Sequence, residues 1–206
     1  MKIVGVGAGP KMITEQAIEV IKTADIVYGS TRAIELAKAH IRGEARVLTN
    51  FDTFEDKEHV CILSTGDPML SGLGKKAPNN AEIISGISSL QLACARQKVD
   101  IADLLVVTTH GRNHSESKDK LKSVFTFGRT LFVLPDPGFD LSEICSFLDT
   151  SGFKGDVVLF EDLGYENERI TYGSLQSPPD RASDLFCVLI TPQNIVEVSG
   201  ESNKCD

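Results

Sequence analysis

Three short apolar runs in the first ninety or so positions each end in a glycine turn: KIVGV runs into GAGP, VCILS into TGDP and EIIS into GISS. Runs of that length, apolar without alternation and bounded by turn residues, suit strands of a parallel sheet covered on both faces. The spacing predicts strands at 2–7, 25–28, 46–48, 60–64 and 82–85. Between them it predicts helices over 13–24, where Ile13, Ala17, Ile18, Val20 and Ile21 make an apolar stripe, over 31–40, over a short stretch at 70–76, and from Ser88 onward. Strands alternating with helices imply an α/β fold, and ligands of such folds sit in the loops at the carboxyl ends of the strands.

A further strand at 104–108 is followed by HGRNHSESK, which is polar and lacks apolar periodicity, and this stretch reads as a domain junction. The expected organisation is an N-terminal α/β domain over 1–112, which contains the GDP loop, and a C-terminal mixed-sheet α/β domain over 113–206. Strands are expected in the second at 130–134, 156–161, 168–172 and 186–190, with helices near 115–124 and 140–149. Only about six residues separate the strands at 156 and 168, too few for a parallel crossover, so that pair is expected to be antiparallel.

Composition excludes several functions. Acidic residues outnumber basic ones 29 to 21, a formal charge of −8, which disfavours a general nucleic-acid or anionic-membrane surface. Cys61, Cys94, Cys145, Cys187 and Cys205 are scattered, with no Cys-x-x-Cys pair and no histidine at ligand spacing, so reduced thiols, no metal site and a cytoplasmic location are expected. No apolar stretch approaches the roughly 20 residues of a membrane span. The tail SGESNKCD reads as disordered.

The first loop fails as a dinucleotide fingerprint. Gly7 and Gly9 are followed by Met12 where glycine or alanine is needed, and Pro10 removes a backbone donor. GDPMLSGLGKK fails as a phosphate loop, because Met69 stands where a Walker glycine belongs and Lys76 follows Lys75. The GDP turn itself has a mechanism: Gly66 permits an unusual backbone angle, Asp67 can accept bonds from nearby N–H groups, and Pro68 fixes its own angle.

Taken together and in order, VGAGP, GDPMLSGLG, SGISSLQLA, TTHGR and EDLGYENERI resemble the tetrapyrrole methylases, the S-adenosylmethionine enzymes of corrin and sirohaem synthesis. The likeness spans nearly the whole chain and is strongest to the branch that methylates carbon 5 of a ring-contracted precorrin. Lys11 stands where that family usually has glycine, Ser85 where it usually has proline, and the stretch between Phe51 and Val60 is short for the helix expected there.

The resemblance implies two α/β domains with the cofactor in the cleft between them, and methyl transfer from S-adenosylmethionine to carbon 5 of cobalt-precorrin-7. It places Asp67, Leu70, Ser88, Ser89, Leu134, Pro135 and Leu163 at the cofactor. Pro10, Lys11, His110 and Arg112 fall on the side of a corrinoid substrate rich in carboxylates. Ser88 and Ser89 could equally be helix caps, and His110 and Arg112 solvated loop residues; His110 could alternatively move protons. No catalytic side chain or metal is implied, since the sulfonium is an activated donor and the protein chiefly orients it and excludes water. A homodimer is implied, as is cooperation with a separate carbon-15 methylating and decarboxylating enzyme. The other readings are a different corrin methyltransferase, a diphthine methyltransferase, or a noncatalytic cofactor-binding α/β protein.

Overall fold

A computed structural model describes residues 1–48, 59–109, 114–136 and 139–193. The first sheet is built from β1 (Lys2–Gly5), β2 (Ile26–Gly29), β3 (Glu44–Val47), β4 (Val60–Ser64) and β5 (Glu82–Ile84), in the order β3-β2-β4-β1-β5 and wholly parallel. The central strands β1 and β4 are buried on both faces, as their continuous apolar character requires, whereas the edge strand β3 is exposed along its length. Val4, Val6, Cys61 and Leu63 pack with Ala17 and Ile21 of helix α1 (Glu15–Thr23) and Ala33 of α2 (Thr31–Ala37); Ile3, Val60 and Ile62 point the other way. Thr14 caps α1 by accepting from the Ala17 N–H, and Ser30 caps α2 by accepting from the Ala33 N–H.

The second sheet contains β6 (Leu104–Thr108), β7 (Thr130–Leu134), β8 (Gly155–Glu161), β9 (Arg169–Ser174) and β10 (Phe186–Pro192), in the order β6-β7-β10-β8-β9. Only β6 and β7 are parallel. The expected antiparallel pairing of β8 with β9 is present. One face of this sheet is covered by α4 (His114–Thr126) and α5 (Leu141–Thr150), through Leu121, Ile144 and Leu148 against Leu131, Leu159 and Val188. The other face carries Phe132, Phe160 and Leu189 and is covered by α3 (Ser89–Gln97) through Ala93 and Cys94. The helix that follows the last strand of the first sheet thus packs on the second.

Three expectations are corrected. The strand at 104–108, assigned with the 1–112 domain, is an edge of the second sheet, so the change of sheet precedes Leu104. The polar stretch read as a junction follows β6, and its 114–118 part lies in helix α4, which packs on the second sheet. Residues 110–113 of that stretch lie outside the described residues, and His114 already begins α4. The helix expected over 70–76 is a 3₁₀ turn at Leu73–Lys76, preceded by turns in which Leu70 N–H bonds the Asp67 carbonyl and Gly74 N–H the Pro68 carbonyl. The tail 199–206 and most of the stretch from Phe51 to Val60 also lie outside the described residues.

Candidate active site

The loops leaving β1, β4 and β5 are locked together by backbone. Gly7 and Gly66 exchange N–H···O bonds of 3.3 and 2.8 Å, and Ala8 N–H donates to the Ile87 carbonyl at 2.9 Å. Contact this close tolerates no side chain: a Cβ on Gly86 would lie 2.3 Å from the Gly66 carbonyl oxygen, and one on Gly5 2.6 Å from the Gly86 nitrogen. The glycine of the first loop therefore serves loop-to-loop contact, in keeping with the failed dinucleotide spacing.

Asp67 completes this lock. Its Oδ1 accepts the Met69 N–H at 2.7 Å and its Oδ2 the Gly86 N–H at 3.0 Å, so one carboxylate shapes its own turn and ties it to the next loop. Beyond the turn, the Ser71 hydroxyl lies 2.8 Å from that of Thr108 at the carboxyl end of β6. Thr109 is buried, and its N–H donates to the Leu134 carbonyl at 3.0 Å.

Helix α3 starts with a capping box. Ser88 Oγ accepts the Gln91 N–H at 3.3 Å, while Gln91 Oε1 accepts the Ser88 N–H at 2.7 Å and its hydroxyl at 2.8 Å. The Ser88 hydroxyl thus donates inside the cap, and the N–H groups of Ser89 and Leu90, in the first helical turn, have no intrahelical carbonyl to bond.

The facing loop, between β8 and β9, is held by two carboxylates of EDLGYENERI. Glu161 is buried; it accepts the N–H groups of Ala182 and Ser183 at 2.6 and 2.7 Å and the Arg169 Nε–H at 2.6 Å from the opposed position on β9. Burial opposes its ionisation, but those N–H donors and the Arg169 guanidinium outweigh burial and hold the carboxyl below its ordinary value. Glu168 takes a bidentate bond from Arg96 of α3, at 2.6 and 3.1 Å, and the Gly164 N–H at 2.8 Å. The Arg96 bond, assisted by Gly164 against partial burial, lowers its pKa as well. A Cβ on Gly9 would stand 2.9 Å from the Gly164 carbonyl carbon, so the first loop and this one touch.

Between these loops and the inner face of the second sheet lies a cavity of about 710 Å³. It is large enough for a drug-sized ligand, apolar along one wall at Leu134, Pro135, Phe160 and Leu163, and polar where the GDP loop and the start of α3 meet it. Helix-start N–H groups without an intrahelical carbonyl, beside an apolar wall, can hold a ligand with a polar or anionic end and an apolar body. Residues 2–179 match the family model described as Tetrapyrrole (Corrin/Porphyrin) Methylases. The chain belongs to the tetrapyrrole methylases.

This methylase is 35% identical over 193 residues to a probable cobalt-precorrin-7 C(5)-methyltransferase of Methanocaldococcus jannaschii, covering 84% of this chain and 89% of that one. It is 28% identical over 186 residues to a decarboxylating precorrin-6Y C(5,15)-methyltransferase of a Sinorhizobium species, covering 83% of this chain but 44% of that larger relative. The crystal structure of the precorrin-6Y methylase of cobalamin biosynthesis from Archaeoglobus fulgidus superposes with a TM-score of 0.74 at 32% identity, over 94% of this chain and 98% of the other.

Asp67, Leu70, Ser88, Ser89, Leu134, Pro135 and Leu163, the residues expected at the cofactor, all border the one cavity. Of the residues expected at the substrate, Pro10 and Lys11 are exposed and lie outside its lining, although Ala8 of the same loop borders it. His110 and Arg112 lie outside the described residues. Sequence reasoning missed Arg32, Thr65, Phe160 and the 184–187 stretch that opens β10. Arg32 and Thr65 had usable signals, a cation three residues after the glycine that ends β2 and a hydroxyl within the TGDP turn; Phe160 and 184–187 sit in segments without motif character.

The cysteines among the described residues do not suit nucleophilic work. Cys61, Cys94, Cys145 and Cys187 are buried and unpaired, and burial pushes the thiols of Cys61 and Cys145 up to about 12 and raises those of Cys94 and Cys187. Among the described residues no cluster of histidine, cysteine and carboxylate could hold a metal ion, and no helix is long and apolar enough to cross a membrane.

Proposed function

We propose that this methylase transfers one methyl group from S-adenosylmethionine to carbon 5 of cobalt-precorrin-7, yielding cobalt-precorrin-8, in cobalamin biosynthesis. The observation that carries the reading is the convergence of GDPMLSGLG, SGISSLQLA and EDLGYENERI, the segments that mark the carbon-5 branch, around a single cavity. The name of the Methanocaldococcus jannaschii relative supports the same position of attack.

In this reading the first-turn N–H groups of α3, with Ser89, hold the polar end of S-adenosylmethionine. Leu70, Leu134, Pro135 and Leu163 cover its adenosine, and Asp67 fixes the two loops that meet it. The bound sulfonium supplies an activated methyl group. The protein contributes alignment and exclusion of water, which suffice for attack by an electron-rich carbon. Pro10, Lys11, His110 and Arg112 are assigned to the substrate side. The protein works as a cytoplasmic homodimer alongside a separate enzyme that methylates carbon 15 and decarboxylates, the activity that the name of the Sinorhizobium relative adds to carbon-5 methylation.

The test is incubation with carbon-13 methyl-labelled S-adenosylmethionine and the corrinoid substrate, with the label located by NMR. Label at carbon 5 is expected. Label at another ring carbon or on a protein side chain overturns the assignment. Light scattering at working concentration should give twice the mass of one chain.

A further inference from the structure

We infer that Arg32 is a binding residue for a carboxylate of the tetrapyrrole, at the end of the cavity opposite the loops after β1 and β5. The inference rests on the methyl-transfer reading above and extends it to a residue that the motifs do not mark.

The argument starts from topology. In the order β3-β2-β4-β1-β5, strand β2 flanks β4 on the side away from β1 and β5. The cavity is continuous across the GDP loop and reaches Ser30 and Arg32, at the turn from β2 into α2. The loop after β5, which leads into the start of α3 and its donors, lies on the other side. A ligand that filled only that side would leave the Arg32 end to its partner in the reaction.

The chemistry of this end is cationic and polar. Arg32 Nη2 donates to Thr65 Oγ1 at 3.0 Å, and among the described residues no carboxylate pairs with it. A guanidinium has five N–H donors and keeps its charge at any working pH, so after one bond to a hydroxyl most of its capacity remains. Thr65, in the turn after β4, fixes the direction of the fork without neutralising it. In a chain of formal charge −8, a polycarboxylate is repelled by the molecule as a whole, so a local cation must receive it. A bidentate bond from a planar fork fixes both the position and the rotation of a carboxylate.

The experiment titrates the full-length protein with three probes: S-adenosylhomocysteine, a corrin heptacarboxylic acid and the heptamethyl ester of that corrin. Wild type should bind the acid more tightly than the ester. Arg32→Gln should weaken the acid about tenfold or more while leaving the ester and S-adenosylhomocysteine unchanged, and Arg32→Lys should recover part of the loss. Thr65→Val, which frees the fork but keeps the charge, should weaken the acid by a smaller factor. In turnover, Arg32→Gln should raise KM with little change in kcat, as expected for binding lost equally from ground and transition states. Unchanged acid affinity overturns the proposal, and so does an equal loss for S-adenosylhomocysteine, which would put Arg32 at the methyl donor. Wild type that binds S-adenosylhomocysteine but neither corrin overturns the functional reading itself, and this inference with it.

Discussion

On the first sheet's side of the cavity, glycine backbones interlock: a Cβ on Gly5 or Gly86 would collide with neighbouring backbone, and the bonds that join the loops after β1, β4 and β5 run from main chain to main chain or to Asp67. On the second sheet's side, two carboxylates set the loop, Glu161 between two N–H groups and Arg169, Glu168 between Arg96 and Gly164. The first arrangement depends on shape and the second on charge. A parallel sheet delivers several loops to one edge side by side, where they can be stitched directly. The antiparallel β8–β9 connection has a main-chain bond from the Asp162 N–H to the Leu185 carbonyl and is tied further by charged side chains.

The largest effect is expected where shape is violated. Gly86→Ala places a methyl group against the Gly66 carbonyl and the Gly5 backbone, neither of which can rotate away. A loss of about 3 kcal/mol in urea unfolding is expected, with weakened S-adenosylhomocysteine binding. Gly128→Ala is the contrast: nothing lies within 4 Å of its Cβ, and only its φ of +64° opposes the change, at a cost of about 1 kcal/mol. Equal midpoints for the two variants would show that the interlocked loops are not what holds this side.

Glu161→Gln attacks the other mechanism. It leaves Arg169 without its carboxylate and turns an amide N–H₂ toward donors, and about 2–3 kcal/mol is expected, less than for a fully buried pair because Arg169 is partly exposed. The same carboxylates set a pH dependence. Both have folded pKa values below the ordinary carboxylate value, so the folded state binds fewer protons than the unfolded one in acid. Their contribution is complete above about pH 5, the upper edge of the unfolded-state titration near 4.3, and is lost as pH falls through the lowered folded values. The melting temperature of wild type should therefore drop in acid, with a shallower slope in Glu161→Gln and Glu168→Gln and an unchanged slope in Gly86→Ala. Parallel curves for all of them would show that the second loop does not depend on charge.

The sequence made strands legible where apolar runs meet turn residues at both ends. The strands at 60–64, 104–108 and 130–134 fall where expected, because nothing in those stretches competes with extended backbone. Which sheet a strand joins was not legible: LLVVT has the same apolar character as an edge of either sheet, and the pairing of β6 with β7 is set by the α4 crossover and the packing of Leu121. Residues of the cavity that lie in the GDP and SGISS motifs, or at the ends of β7 and β8, were legible through the resemblance. Phe160 was not, since a phenylalanine inside an apolar strand reads as core on either face. Ser88 was legible in position but ambiguous in purpose, and the capping box resolves where its hydroxyl donates.

The smallest expected effect sharpens the contrast from the first side. Lys11 has a φ of +62°, in the left-handed region, at the position where the resembling family usually has glycine. Lys11→Gly should relieve that conformation and raise stability by about 0.5–1 kcal/mol, the difference remaining after glycine's extra freedom in the unfolded chain is counted. Lys11→Ala keeps the strained backbone and removes only the charge, so it should bring no such gain. The two variants together separate backbone from side chain. If Lys11 faces a substrate carboxylate, as proposed, both should weaken binding of the corrin acid by the same modest factor of about two- to threefold, in line with an exposed ion pair. A stabilised Lys11→Gly protein with wild-type affinity for the corrin acid would show that the lysine has no part in substrate binding, and that the shape of the first loop, not its charge, is what the site requires.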